Sequence, residues 1–315
     1  MKKIIYLIFI LLFFISCKNN VEVNPKYSDF ENDLEWKNLF GKIKEYSHYK
    51  ANFKGIDNGS TEKATITLKE IFTKKGALKK SEYFDTFGKL QQSVENFYNS
   101  NDEQTKNISI SEVPYNKIVT LIERDTIHHL IFQNVTYNDT INIMFINRFE
   151  KTDRIVEQLQ IKNNDTIIKK YEYNYDKNDK LIKEIQIEKG NKNISEYTYD
   201  KNGNVIKLIS GNEWMKFKTI TEYDSNNKII KKTQFTISAD LKEHLDSKTE
   251  YDNHFNQINE KIFQDGKLNR ELKNKYEFDK KGNWIKKTVF LKEVFANSNK
   301  FVPIYVETRK IKYWN

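Results

Sequence analysis

The sequence predicts an all-β chain of antiparallel hairpins, and three observations carry that expectation. Aromatic residues make up 14% of the 315 positions and only three are Pro, a composition suited to strands. From Lys42 onward Ile, Thr, Tyr and Phe alternate with polar residues. A Tyr–Asp pair then recurs at near-constant spacing, each time followed by turn residues and a returning apolar run. With 31% charged residues the chain is too polar for a multispanning membrane protein, and at this length it is no disulfide-stapled miniprotein. Its aromatic content argues against disorder. It is long enough to bury a sizeable core as one large domain or two modest ones.

Residues 1–16 read as a leader. Lys2 and Lys3 precede an apolar run from Ile4 to Ile15. Twelve helical residues rise roughly 18 Å, well short of a hydrocarbon core of about 30 Å, so the run suits a secretory signal rather than a membrane span. It ends in Phe14-Ile15-Ser16-Cys17, and Cys17 is the only cysteine. This segment resembles the lipobox of bacterial lipoproteins, with Phe14 where Leu is commonest. The resemblance implies a diacylglycerol on the Cys17 thiol, cleavage before it, and acylation of the new amino group. A thiolate is the nucleophile such a modification needs. At about 0.8 kcal/mol per buried methylene, two or three acyl chains hold a protein at a membrane almost permanently. Lys18 stands where related lipoproteins often carry Asp to stay in the inner membrane, which implies the outer membrane. Asn19 and Asn20 leave open which side it faces. Losing Lys2 and Lys3 takes the net charge from +9 to +7. Export removes nucleic acid as the partner of this basic chain.

Residues 17–26 are polar and read as a tether. Residues 27–41 suit a short helix, with Ser28 as cap, Glu31 three residues on, and Gly41 in place for a left-handed C-terminal residue. Residues 42–315 form the predicted β-hairpin repeat domain, clearest over 171–290. There the frame reads Glu-Tyr-Asn-Tyr-Asp ending at Asp176, then Glu-Tyr-Thr-Tyr-Asp ending at Asp200. It continues through Asp224, Asp252 and Asp279, with an isolated copy at Asp85 and a degenerate one at Phe149-Glu150. In each unit the tyrosines share one face of a strand. The Asp accepts backbone N–H bonds at the turn start, and Gly203 or Gly282 supplies the positive φ of a G1 bulge. Asp179 and Asn227 are tolerable stand-ins for that glycine. A lone hairpin is marginal in water, so the units must pair side by side.

At these residues the sequence resembles the YD repeats of RHS-type proteins. Only Asp200 to Asn204 and Asp279 to Asn283 keep the full Asp-x-x-Gly-Asn pattern. The resemblance implies a long curved sheet, and the expectation is therefore one elongated, twisted or curved sheet with a short N-terminal helix. The chain is too short for a closed shell of that type, and no toxin role is carried over.

Chemistry is sparse. One carboxylate per turn is most simply a turn-holder, and no Asp-x-Asp-x-Asp cluster suggests calcium. A glycosidase needs two carboxylates across a cleft, and none of the 44 acidic residues is singled out for that task. His128 and His129 sit in an apolar run that reads as a strand, so they should face opposite sides of the sheet and share no metal. His48, His244 and His254 are isolated. There is no phosphate loop, dinucleotide fingerprint or nucleophile elbow. No catalytic, cofactor or metal residue is therefore named. Thr126, Thr140 and Thr166 each lie in an Asp-Thr-Ile tripeptide similar to an O-glycosylation signal of exported bacterial proteins, and equally suited to hairpin tips. Tyr and Trp stripes beside Lys would cover apolar sugar faces or bind protein, whereas solvated lysines alone would do neither. The leading expectation is a non-enzymatic cell-envelope lipoprotein, membrane-bound through Cys17, that offers a repetitive β surface to a protein or glycan. The alternatives are an envelope glycan hydrolase and an accessory protein of an RHS-type system.

Overall fold

The computed structural model describes residues 37, 39–53, 60–150, 154–163, 165–293 and 300–315. The leader, Cys17, the tether and most of the expected helix over 27–41 lie outside them. Residues 37 and 39–41 are not helical, and no helix occurs among the described residues.

Twenty strands follow one another as β1 (Ile43–Asn52), β2 (Thr65–Phe72), β3 (Leu78–Phe84), β4 (Leu90–Tyr98), β5 (Gln104–Glu112), β6 (Tyr115–Asp125), β7 (Leu130–Tyr137), β8 (Ile141–Phe149), β9 (Ile155–Lys162) and β10 (Asp165–Tyr175). The circuit continues through β11 (Leu181–Glu188), β12 (Asn191–Tyr199), β13 (Val205–Gly211), β14 (Met215–Tyr223) and β15 (Ile229–Ser238). It ends with β16 (Glu243–Tyr251), β17 (Gln257–Gln264), β18 (Lys267–Phe278), β19 (Trp284–Glu293) and β20 (Val302–Tyr313). Each strand pairs antiparallel with the next, and β20 pairs antiparallel with β1, from Ile43 opposite Tyr313 to Asn52 opposite Tyr305. The sheet is a closed barrel. The all-β antiparallel expectation stands in its coarse form, while the elongated open sheet is corrected to a ring without free edges. That closure also overturns the likeness to RHS-type YD repeats, whose long sheet this chain does not form.

Closure has a local cause. Turns after even-numbered strands all lie at one end of the barrel and begin at Thr73, Asn99, Asp125, Glu150, Asp176, Asp200, Asp224, Asp252 and Asp279. All but the Asp125 turn are five-residue turns in which the first N–H donates to the fifth carbonyl. Those eight hairpins each carry a register shift at the last strand residue before the turn, as at Thr198/Tyr199 and Glu222/Tyr223. A bulge bends its strand and adds twist, so the same bend repeated around one rim curls the sheet until its edges meet. Closure then satisfies edge groups that would otherwise invite aggregation.

Twenty strands enclose more space than inward side chains can fill. Extensive contacts between elements are those between hydrogen-bonded neighbours around the ring. The compact core is accordingly small. Leu39, Ile43, Tyr46 and Phe72 bury one another against Leu68, Leu78, Ile311 and Tyr313 where β20, β1 and β2 meet.

Candidate functional site

Register divides the side chains into two faces. Tyr173 stands opposite Glu184, Ser195 opposite Ser210 and Thr221 opposite Lys232 on one face. Lys170, Glu172 and Lys183 belong to the other. Side chains converge on the concave side of a closed sheet and splay on the convex side. Most buried strand residues, among them Glu70, Ser81, Ile131, Asn147, Thr221, Ser247, Thr249 and Val289, share the tyrosine face, which is therefore the inner wall; Ser47, Ala51, Thr233 and Ile237 are the buried residues of the outer face.

That wall has two arcs of different chemistry. From β4 to β9 it presents Gln92, Asn96, Gln104, Asn107, Ser109, Gln133, Asn147, Gln158 and Gln160, and among the described residues no carboxylate. The amides interlock: Gln92 Nε2 donates to Ser109 Oγ at 2.9 Å, Asn107 Nδ2 to Asn96 Oδ1 at 2.7 Å, and Gln158 Nε2 to Asn147 Oδ1 at 2.7 Å. Arg124 is tied to the Gln104 carbonyl at 2.7 Å. An amide both donates and accepts, so such a wall can satisfy hydroxyl groups of either polarity.

From β10 to β20 the wall carries tyrosines and carboxylates. Glu188 pairs with Lys169 at 3.0 Å, and Gln257 donates to Glu260 at 3.0 Å. Burial and the charge of Glu184 push the Tyr173 and Tyr197 phenols up. At the seam Glu307 lies 3.1 Å from Lys287 and 3.7 Å from His48 Nε2. Burial alone would discourage ionisation of Glu307, but His48 and Lys287 outweigh it and hold the carboxyl at about 2. Arg309 lies 3.6 Å over the Trp284 ring, and burial lowers its guanidinium to about 10 against the pull of Tyr46 and Glu307. Glu70, fully buried, accepts from Lys37 at 2.9 Å and from Ser81 at 3.2 Å. These pairs hold the closing strands. None offers the two unengaged carboxyls across a cleft that glycoside hydrolysis requires.

The aspartates stand at chain reversals. Asp200 Oδ1 accepts the N–H of Asn202 and Asn204, both at 2.9 Å, and Gly203 has φ +93°. Asp176, Asp224, Asp252 and Asp279 make the same pair of bonds at 2.8–3.0 Å, with Gly282 at φ +86°. The Asn204 amide and the turn N–H groups hold the Asp200 carboxyl below the usual range, and the N–H groups of Lys180 and Asn178 do so for Asp176. Asp85 makes an identical turn, but it follows an odd-numbered strand and so sits on the opposite rim. Thr126 and Thr140 are exposed in turns on opposite rims, and Thr166 is exposed in β10. Cys17 lies outside the described residues.

Two features escaped the sequence. First, the period runs through the whole ring, because Thr73 and Asn99 begin turns of the same geometry. The signal was the spacing, 24 to 28 residues from Thr73 to Asp279. Second, tyrosines latch neighbouring hairpins. Tyr98, Tyr173, Tyr199, Tyr223 and Tyr276 donate to the carbonyls of Leu78, Ile155, Leu181, Val205 and Gln257 at 2.6–3.0 Å. Each acceptor is the residue that starts a strand just past the preceding turn. The strand expected through His128 and His129 is corrected to a turn. The Asp125 carboxylate accepts the N–H groups of Ile127 and His128, His128 Nδ1 stands 2.7 Å from Asp125 Oδ2, and His129 has φ +54°. No metal-holding group of His, Cys, Asp or Glu occurs among the described residues.

No protein-family model matches the chain, and no curated protein matches it. Among solved structures it is similar to a porin-like protein from Bacteroides uniformis, at 10% identity and TM-score 0.36, covering 87% of this chain and 98% of that one. A porin-like protein from Bacteroides vulgatus gives 9% identity and TM-score 0.29, covering 84% and 97%. A Photorhabdus luminescens Tc holotoxin pore gives 8% identity and TM-score 0.25, with 79% of this chain and 18% of that one covered. Likenesses this faint assign neither fold nor activity, and the barrel stands on its own strand pairings.

Proposed function

We propose that the chain is a non-enzymatic cell-envelope protein, lipid-anchored through Cys17, whose barrel binds a neutral polyhydroxylated ligand such as a glycan. The observation that carries this reading is the carboxylate-free amide wall of β4 to β9. Gln and Asn side chains at its surface exchange hydrogen bonds with hydroxyls, and Tyr98, Tyr137 and Phe145 on the same face supply rings for the apolar side of a sugar.

The outer face argues for attachment to a membrane rather than insertion in one. It bears lysines in mid-strand, where an inserted barrel would meet lipid: Lys218 of β14 stands opposite Phe235, and Lys248 of β16 stands opposite Lys261 of β17. A membrane barrel needs an outward apolar band about 25 Å tall, and Lys at its midplane costs about 2–4 kcal/mol. Lipid on Cys17 supplies attachment without that band.

Two experiments test the reading. The mature chain on a glycan array should retain neutral glycans, and Gln158→Leu with Asn107→Leu should lose them; an array blank for the wild type sinks the ligand class. Cys17→Ser should move the protein from the membrane to the soluble fraction. Equal retention of mutant and wild type would end the anchoring proposal.

A further inference from the structure

An open cavity of about 420 Å³ lies at the rim opposite the repeated aspartate turns, lined by Tyr115, Tyr137, Ile141, Ile143 and Lys162 together with Pro114 and the amides of Asn116 and Asn138. Register places Tyr137, Ile141, Ile143 and Lys162 on the inner face, on β7, β8 and β9. Its volume lies within the roughly 300–1,000 Å³ of small-molecule sites, which are mostly apolar with a few placed polar groups. The walls fit that description, since two isoleucines, a proline and two tyrosines accompany one ammonium group and two amides.

The charges nearby sharpen the choice of ligand. Lys117 is held by Asp139 at 3.1 Å and by the Asn138 side chain, which accepts its backbone N–H at 2.7 Å. Asp165 stands opposite Lys162 in the β9–β10 hairpin, yet no ion pair joins them. Lys162 is thus a cation beside an apolar cavity, and among the described residues no carboxylate is bonded to it. An apolar body gains about 25 cal/mol per Å² of covered surface, and an anionic end beside the exposed Lys162 ammonium adds a smaller attraction that salt screens.

We infer that this cavity binds a hydrophobic anion, with an aliphatic or aromatic body against Ile141 and Ile143 and one anionic group at Lys162. This goes beyond the polyol reading: the two share Tyr137, but the anion site uses neither Gln158 nor Asn107, the residues that test the polyol site, so either can fail without the other.

Titration of the full mature chain with decanoate and with decanol tests it. Decanoate should bind about threefold to fivefold more tightly than decanol at low salt, and added salt should shrink that preference. Lys162→Met should erase that preference while leaving decanol unchanged, and Asp165→Asn should tighten decanoate. Ile143→Asn should weaken both ligands at least fivefold; if that variant melts early, Ile141→Asn at the exposed edge of the cavity makes the same test. Equal affinity for the two ligands, no affinity for either, or full retention of the preference in Lys162→Met would overturn the inference.

Discussion

The two rims of the barrel are made by the same strands and have opposite characters. At the first, eight five-residue turns repeat one hydrogen-bond pattern, and in five of those hairpins a tyrosine ties the turn to the one before it. At the second, most turns are irregular or tight and apolar side chains stand in solvent: Phe87 is 89% exposed, Leu241 76%, Trp214 71%, Val113 64% and Tyr115 63%. On the first rim only Ile127, at 81%, is comparably bare among the described residues. The contrast teaches a division of labour. Polar repetition at one end sets curvature and closes the ring, which frees the other end to carry unsatisfied apolar surface suited to contact.

The largest expected effect tests whether the second rim also has steric demands. Gly211, in β13 beside the turn leading to Met215, has φ +147°, and a Cβ there would lie 2.2 Å from the Met215 carbonyl oxygen. Gly211→Ala should cost about 3 kcal/mol and lower Tm by several degrees. An unchanged melting curve would mean this rim tolerates anything. Next comes the seam. Glu307 has a folded carboxyl depressed from 4.5 to about 2, so its contribution is present above pH 4.5 and is lost as pH falls through 2. Glu307→Gln should flatten stability across that window by an amount on the order of 3 kcal/mol. If acid unfolding of the variant overlays the wild type, the seam does not depend on this charge.

Smaller effects separate the rims directly. Tyr199→Phe or Tyr173→Phe removes one latch and should cost about 1 kcal/mol in denaturant melts. Phe87→Ser and Trp214→Ser on the other rim should change stability by less than about 0.5 kcal/mol. Equal losses at both ends would erase the distinction. The smallest effect has the opposite sign. Asp179 holds φ +58° at the position that Gly203 occupies in the next hairpin, so Asp179→Gly should raise stability by about 0.5 kcal/mol.

How much was legible follows from where each cue resides. Turn chemistry is local, so Asp176 through Asp279 announced their hairpins, whereas Thr73 and Asn99 do the same job with side chains that a search for Tyr–Asp passes over. Asp85 matched the motif but not its place, because rim identity depends on strand parity counted from the start of the ring. His128 and His129 misled because apolar neighbours suggest a strand, while the Asp125 carboxylate captures the N–H groups that a ladder would need. The amide wall was hidden altogether, since Gln92, Asn107, Asn147 and Gln158 become one surface only when separate strands are set in register.

The sequence by itself determined strands, reversals and a period near 25 residues, because alternation and turn propensity act over a few residues at a time. Only the tertiary structure decided that the hairpins close on themselves. Whether a row of hairpins stays open or meets its own beginning depends on small bends accumulated over twenty strands. The contact that completes it joins Ile43 to Tyr313, a pairing that no local rule specifies.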